Sequence, residues 1–559
     1  MSLGITRRWR YLLPAIVFAL CAAPTIVSYQ PYRYQWDDST YLLDSIVASR
    51  AFWSGDHHGL RILIQGNHPP IMSLLGLPWG PLAGWDAAGK CFLSLAVLTA
   101  LFMAICLYLM LRSGVNTPFF LIASVCLLVA MGPFPAGADV VQIGGPRSGV
   151  HYANVHYVAT AFMVDSLFAW IAFAALLLIR YEITSDRVPT SDSFVHGILW
   201  AVIFSAGAIT KVNFFYFIAL IVPILFIIRA RNRGIRDGFV ALLSFAICSL
   251  PAIVYWLRYG RTALKFAVSA SFGHDASFYY TPLFSYVSRT VRLSPGLLLV
   301  GTLLIGEAVY FAIKRVEVKW GTCVLPLLVL MGYGAVALAS SNREIRFLFP
   351  VFIALPFLIG IGFPGKTYFY TPKAAMAAAA FVFGCLVVAS VPVLHRPDRE
   401  SIQRSEAVLA QAAASNAKHI LLATESPTLN QNLMQLAIAV TPSRSSIESD
   451  TLTWPPLADA PIEEDFLAIR EADLVVFQKK EELIPPFINR RFSEYERYTL
   501  RQTGDVPIEV VDDISIYSVR RDETVIAKVG DDATTSVAQD RRYLGPKPAM
   551  RSALSFHSN

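Results

Sequence analysis

The sequence predicts a polytopic, all-α membrane protein of about eleven transmembrane helices with a small C-terminal α/β domain outside the membrane. Three observations predict it. The chain of 559 residues is 55% hydrophobic and 16% charged, with a mean hydropathy of +0.50. An ordinary soluble protein carries roughly 25% charged residues. The apolar residues gather in nearly uncharged windows of about twenty, the length that crosses a bilayer. From about His395 the windows stop, and short amphipathic and alternating segments follow.

The windows start near Tyr11, Cys91, Pro118, Tyr157, Phe194, Val212, Gly238, Pro295, Trp320, Phe347 and Ala374. The first follows MSLGITRRWR and is too long for a signal-peptide core, with no clean cleavage site after it. The windows at Phe194 and Val212 are separated only by Thr210-Lys211, which predicts a tight helical hairpin. Basic residues set the orientation. RRWR, Arg229 to Arg236, Lys314 to Lys319, and Lys366 with Lys373 share one side if the helices alternate, and excess Lys/Arg marks the cytoplasm. The N-terminus is then cytoplasmic. The loop 30–90, the loop 132–156, Lys211, the loop 258–294, Asn342 to Arg346 and the C-terminal domain lie outside.

The expected organisation is a membrane domain over 1–395, an outer α/β domain over 396–522 and a disordered tail over 523–559. In the α/β part, Ser401 to Ala417 and Leu429 to Val440 read as helices; His419 to Ala423, Ala472 to Gln478 and Ile514 to Val519 read as strands. The seven cysteines all sit in apolar stretches, which argues against a disulfide framework or a thiolate metal site. The net charge of +7 is modest, and no basic run interleaves with aromatics over a soluble domain, so nucleic acid is not an expected partner. No Gly-rich loop carries the Gly-Lys-Ser/Thr or G-x-G-x-x-G pattern of nucleotide sites, Gly144 to Gly149 included, so no nucleotide cofactor is expected.

Polar chemistry crowds onto the outer loops rather than mid-membrane, where a transporter would hold it. Asp37-Asp38 follow Trp36 at the exit of the first window. Adjacent carboxylates raise one another's pKa or share a divalent cation, and either suits a base that deprotonates a hydroxyl. The competing reading is a cap, Asp38 or Ser39 closing a helix over Tyr41 to Ala51. His68, in Asn67-His68-Pro69-Pro70, either faces substrate or sits in water; His57 and His58 are further possible ligands. Asp165 lies about 12 Å into its window from the outer side at the helical rise of about 1.5 Å per residue. It serves substrate or metal, or hydrogen-bonds a neighbouring helix. Lys211 holds a lipid phosphate or snorkels to water. Arg343, Glu344 and Arg346 form a charged cluster before a helix, suited to phosphate or to anchoring the chain.

In their order and shared outer placement these residues resemble the GT-C superfamily of membrane glycosyltransferases, in particular the bacterial protein O-mannosyltransferase-like and lipid A aminoarabinose transferase-like enzymes. The resemblance covers about Tyr11 to Phe363. It rests on Asp37-Asp38 in YQWDDSTYL, His68-Pro69-Pro70, Asp165 in MVDSLFAW, Thr210-Lys211 and NREIRFLFP. Asp-Asp stands where many members have Asp-Glu. Asn342 and Arg343 replace the His-Lys of the GPI-anchor mannosyltransferases. The resemblance implies a sugar donor on a polyprenyl phosphate, delivered within the membrane of a bacterial inner-membrane enzyme, and an inverting transfer to an unidentified glycan, lipid or protein acceptor. Asp37 would be the base, with Asp38 in support. Asp165 would bind acceptor or metal, a divalent ion shared with Asp38 included. Lys211, Arg343 and Arg346 would neutralise the leaving phosphate. Arg147, His151 and His156 would line the site. The rival classes are a transporter or flippase for a lipid-linked sugar, which needs no base, and a non-catalytic assembly protein that works through its C-terminal domain.

Overall fold

The computed structural model describes residues 36–66, 68–113, 140–141, 151–152, 164–184, 192–272, 320–340, 345–348, 350–351, 354, 399–424, 429–452, 462–478, 486–503, 507–511 and 513–519. The windows near Tyr11, Pro118, Pro295 and Ala374, most of the one at Phe347, and the tail 523–559 lie outside these residues.

The outer loop is folded. Helix α1 (Trp36–Ser54) is followed by α2 (His57–Ile64), the single turn α3 (Ile71–Leu74) and the long α4 (Asp86–Arg112). Asp56 caps α2, its carboxylate accepting the Gly59 N–H at 2.9 Å. Pro70 opens α3, where its missing N–H costs nothing. Ser45 and Ser49 of α1 donate to the Met72 and Gly80 carbonyls, and Arg50 reaches the Leu82 carbonyl at 2.9 Å. These bonds tie α1 to the chain leading into α4. The capping reading for Asp38 or Ser39 fails here: the helix already includes Trp36, so both residues lie within it, and Ser39 is fully buried.

The membrane bundle is built around α5 (Val164–Thr184), packed by α4, α6 (Asp192–Thr210), α7 (Phe215–Arg233) and α11 (Trp320–Ala339). A helix apolar on every side must be covered by protein or by lipid, and Leu167 through Ile179 are covered by protein. Lys211, with extended backbone, and the 3₁₀ turn Val212–Phe214 join α6 to α7. Gly207 admits the Phe214 ring against its backbone, where a Cβ would collide. The turn is tight, as the sequence suggests, but α6 and α7 pack on α5 and on the next helix rather than on each other. That helix, α8 (Ile235–Cys248), breaks at Ser249 and continues as α9 (Leu250–Arg258) at 55°. Pro251 lacks the N–H needed to continue α8, so the span in the window starting near Gly238 is bent. Helix α10 (Arg261–Phe272) follows.

Among the described residues four helices are long and apolar enough to cross a membrane, or five with the bent pair counted as one. Ile227, Leu243, Leu257, Leu328 and Met331 are more than half exposed on the bundle's outside. Such a surface suits lipid, and the protein is an integral membrane protein.

The C-terminal region forms a five-stranded sheet of order β4-β3-β5-β7-β6. Its strands are β3 (His419–Leu422), β4 (Glu448–Thr451), β5 (Leu474–Gln478), β6 (Glu509–Val511) and β7 (Ile514–Ser518); β1 (Val140–Val141) and β2 (His151–Tyr152) pair separately, in antiparallel register. Strands β4, β3 and β5 are parallel, while β7 and β6 run antiparallel to their neighbours. Period-2 alternation sorts the core. Ile420, Leu422, Leu474 and Val476 face α12 (Arg399–Ala414) and α13 (Gln431–Val440). Leu421, Val475 and Phe477 face α14 (Ile462–Glu471) and α15 (Pro486–Thr503). The sequence reading missed β4, β6, α14 and α15, which are short or strongly polar.

Candidate active site

Asp165 stands in the first turn of α5 and is 2% exposed; its carboxylate pairs with the Lys211 ammonium. This partner comes from the loop beyond α6 rather than from a neighbouring helix. The Lys211 side chain is 16% exposed, so the pair is more deeply buried on the carboxylate's side than on the lysine's. Phe347 lies with its ring centroid 4.5 Å from Nζ, and Phe168, one turn after Asp165, at 5.5 Å. Aromatic faces attract a cation and keep water from its flanks. Phe347 belongs to the 3₁₀ turn Ile345–Leu348, which also carries Arg346. Tyr333 of α11 fixes that turn by donating to the Phe347 carbonyl at 3.0 Å. Strand β2, with His151, runs beside the same turn.

His68 sits on the other flank. Its ring meets Tyr41 of α1 edge-on at 5.2 Å and Phe266 of α10 at 5.2 Å. It is half-buried between two helices rather than free in water, while Pro69 and Pro70 beside it are buried. Helix α10 also touches the turn Val212–Phe214 next to Lys211, and α3 packs on α6. The two clusters thus share one end of the bundle. Asp37 and Asp38 occupy the first described turn of α1, and Asp37 is one turn before Tyr41 on the same face.

Arg147, His156, Arg343 and Glu344 lie outside the described residues. His57 and His58 open α2 and are exposed. Among the described residues no three His, Cys, Asp or Glu side chains converge as a metal site. Among the described residues the Lys211 ammonium stands beside the Asp165 carboxylate, and no step below passes through a metal ion.

Five further residues escaped the sequence reading. The aromatic residues Tyr41, Phe168, Tyr333 and Phe347 are ordinary in apolar helices, though Phe347 lies inside NREIRFLFP. Asp44 follows Asp37 by two turns on the same face of α1; burial pushes its carboxyl up to about 7, near neutrality. Its neighbours Leu42, Leu43, Ser45 and Ile46 are all buried, whereas Asp44 stays half-buried.

No protein-family model and no curated protein matches the sequence. A solved structure does match in three dimensions: ArnT from Cupriavidus metallidurans, crystallised bound to undecaprenyl phosphate. The superposition covers 91% of this chain and 98% of ArnT, with 12% identity and a TM-score of 0.50. At that identity the likeness speaks for the fold, and the chain has an ArnT-like, GT-C-like fold.

Proposed function

We propose that this protein is a membrane glycosyltransferase that moves a sugar from a polyprenyl-phosphate donor to an acceptor hydroxyl at the outer face of a bacterial inner membrane. One observation carries the reading. In a chain with the fold of a protein crystallised with undecaprenyl phosphate, the start of α1, His68, Lys211 and the Arg346 turn gather at one end of the bundle.

The chemistry assigned to these residues is an inverting displacement. The Asp37 carboxylate takes the proton of the acceptor hydroxyl. The acceptor oxygen bonds to C1 of the sugar from the face opposite the phosphate. The C1–O bond breaks, and its electron pair leaves with the polyprenyl phosphate. Lys211, Arg343 and Arg346 offset the charge that develops on that phosphate, a contribution fixed cations make best in a site shielded from water. Asp38 supports the base. Asp165 holds Lys211 in place, and Glu344 and His68 contact substrate. The C-terminal domain lies on the periplasmic side in this reading.

The test is transfer of radiolabel from polyprenyl-phosphate sugars to a lipid extract of the source cells. Wild type should form product and Asp37→Asn should lose about 10²–10⁴-fold in rate, the usual contribution of a positioned base. Donor bound equally by both forms, without product from a broad acceptor set, would favour a transporter.

A further inference from the structure

Helix α13 is buried on both sides. Leu433, Leu436, Ala439 and Val440 belong to one core with Leu42, Leu43, Ile46 and Val47 of α1. Met434, Ala437 and Ile438 belong to the core of the C-terminal sheet. The spacing explains the division: the two sets fall on different faces of a helix with 3.6 residues per turn. α13 is thus a wall shared by the α/β region and the helix that carries Asp37 and Asp38.

Polar bonds pin the same wall. The Gly84 N–H donates to the Val440 carbonyl at 2.6 Å, from a backbone with φ +69°. Trp85, the next residue, packs against both cores. Its indole N–H donates to Glu406 Oε1 of α12 at 3.0 Å. The other oxygen of that carboxylate accepts from Arg444, just beyond α13, at 2.7 Å. One carboxylate therefore joins the entrance of α4, the helix α12 and the exit of α13. An acceptor-binding arm on a free tether would have none of these bonds and no shared core.

We infer that the Trp85–Glu406–Arg444 link is a positioning element, through which the C-terminal region holds α1, and with it the acidic pair, in register with the Lys211 end of the bundle. For catalysis this rests on the transferase reading. A displaced base costs rate without weakening donor binding, on the order of 10²-fold for about 1 Å.

The experiment uses the full-length protein in nanodiscs and compares wild type, Trp85→Phe, Glu406→Gln and Glu406→Leu. Trp85→Phe keeps the ring and loses only the N–H. Glu406→Gln keeps an acceptor for Trp85, whereas Glu406→Leu removes both bonds. Two quantities are read: kcat and KM for a radiolabelled polyprenyl-phosphate sugar, and amide hydrogen exchange of residues 36–54 against residues 474–478. In Glu406→Leu we expect kcat to fall about tenfold with KM for donor unchanged, following the misplacement argument. The α1 amides should exchange faster while the β5 amides stay protected. Trp85→Phe should behave like Glu406→Leu in milder form, and Glu406→Gln should recover most of the rate. Unchanged α1 exchange would overturn the inference, as would faster exchange with unchanged kcat, or a rise in KM alone. Loss of β5 protection in Glu406→Leu passes the decision to Trp85→Phe, which leaves the packing intact. Absence of transfer in wild type counts against the transferase reading instead, and the exchange data still judge whether the link orders α1.

Discussion

The two ends of α5 each bury an acid against a base, and they differ in what remains open. At one end Asp165 meets Lys211, whose side chain is 16% exposed and whose Nζ lies over the Phe347 ring. At the other, Glu182 accepts from Arg229 at 3.0 Å and from the Trp200 indole at 3.1 Å, and contacts His196 Nδ1 at 2.5 Å. Arg229 also lies 2.8 Å from His196 Nδ1 and donates to Ser193 Oγ, the better bond at 2.8 Å, and Tyr181 stacks on the His196 ring at 5.1 Å. Glu182, His196 and Arg229 are all 4% exposed or less. A charge whose donors and acceptors are filled by protein has nothing left for a ligand; its work is to hold three helix ends together. A cation with one face toward solvent keeps donors for a phosphate. On the transferase reading, the Glu182 end is structural and the Lys211 end is the one that would meet the donor phosphate.

Three substitutions test this division. The largest effect is expected from Arg229→Met, which strands Glu182 in the bundle. Breaking a buried pair from one side costs about 3–5 kcal/mol, and thermal unfolding in detergent should show it. Glu182→Gln added to Arg229→Met should restore most of the lost stability, with transfer following the amount of folded protein.

Lys211→Met sharpens the contrast. Transfer should slow by about 10²–10³-fold, as when a group stabilising transition-state charge is lost. Adding Asp165→Asn should recover stability and leave transfer slow. Recovery of transfer in that double variant would erase the difference between the two ends.

Arg229→Lys keeps the charge but cannot reach Glu182 and Ser193 together. A loss of about 1–3 kcal/mol is expected, the cost of leaving a buried polar group unsatisfied. Transfer per folded molecule should be unchanged.

Independent of that division is a pH dependence expected from Asp44 on α1. Burial raises its carboxyl from 3.8 to about 7. The folded protein thus holds this proton more tightly than the unfolded chain does. The resulting contribution to stability is full below about pH 4 and is lost as pH rises to about 7. In Asp44→Asn that slope should flatten, as followed by unfolding temperature against pH. An identical slope in the variant would assign the titration elsewhere.

Much of the candidate site could be read because its residues are costly where they stand. Asp165 and Lys211 interrupt apolar windows, and a charge in such a place needs a reason. His68 was found through Pro69-Pro70, which fix the chain on either reading. The Glu182 end went unread for the opposite reason. Glu182, His196 and Arg229 are far apart in the chain, and each sits near a window end, where a charged residue is unremarkable. Arg229 was counted among the topology arginines of RARNRGIR. It instead continues the buried stripe Phe217, Ile221, Leu225 at four-residue spacing, while Arg231 and Arg236 of the same run stay exposed.

By itself the sequence determined what local physics controls. Apolar windows of spanning length, a turn at Lys211, helices over most of α12 and α13, and strands β3, β5 and β7 follow from hydrophobic period and turn residues within a few neighbours. Tertiary structure alone decided which side chains meet. It paired Asp165 with Lys211 across 46 positions and joined Trp85 to Glu406 across 321. It also set α13 against two cores at once. Such pairings depend on how helices pack, and packing is the sum of many weak contacts that no short stretch of sequence contains.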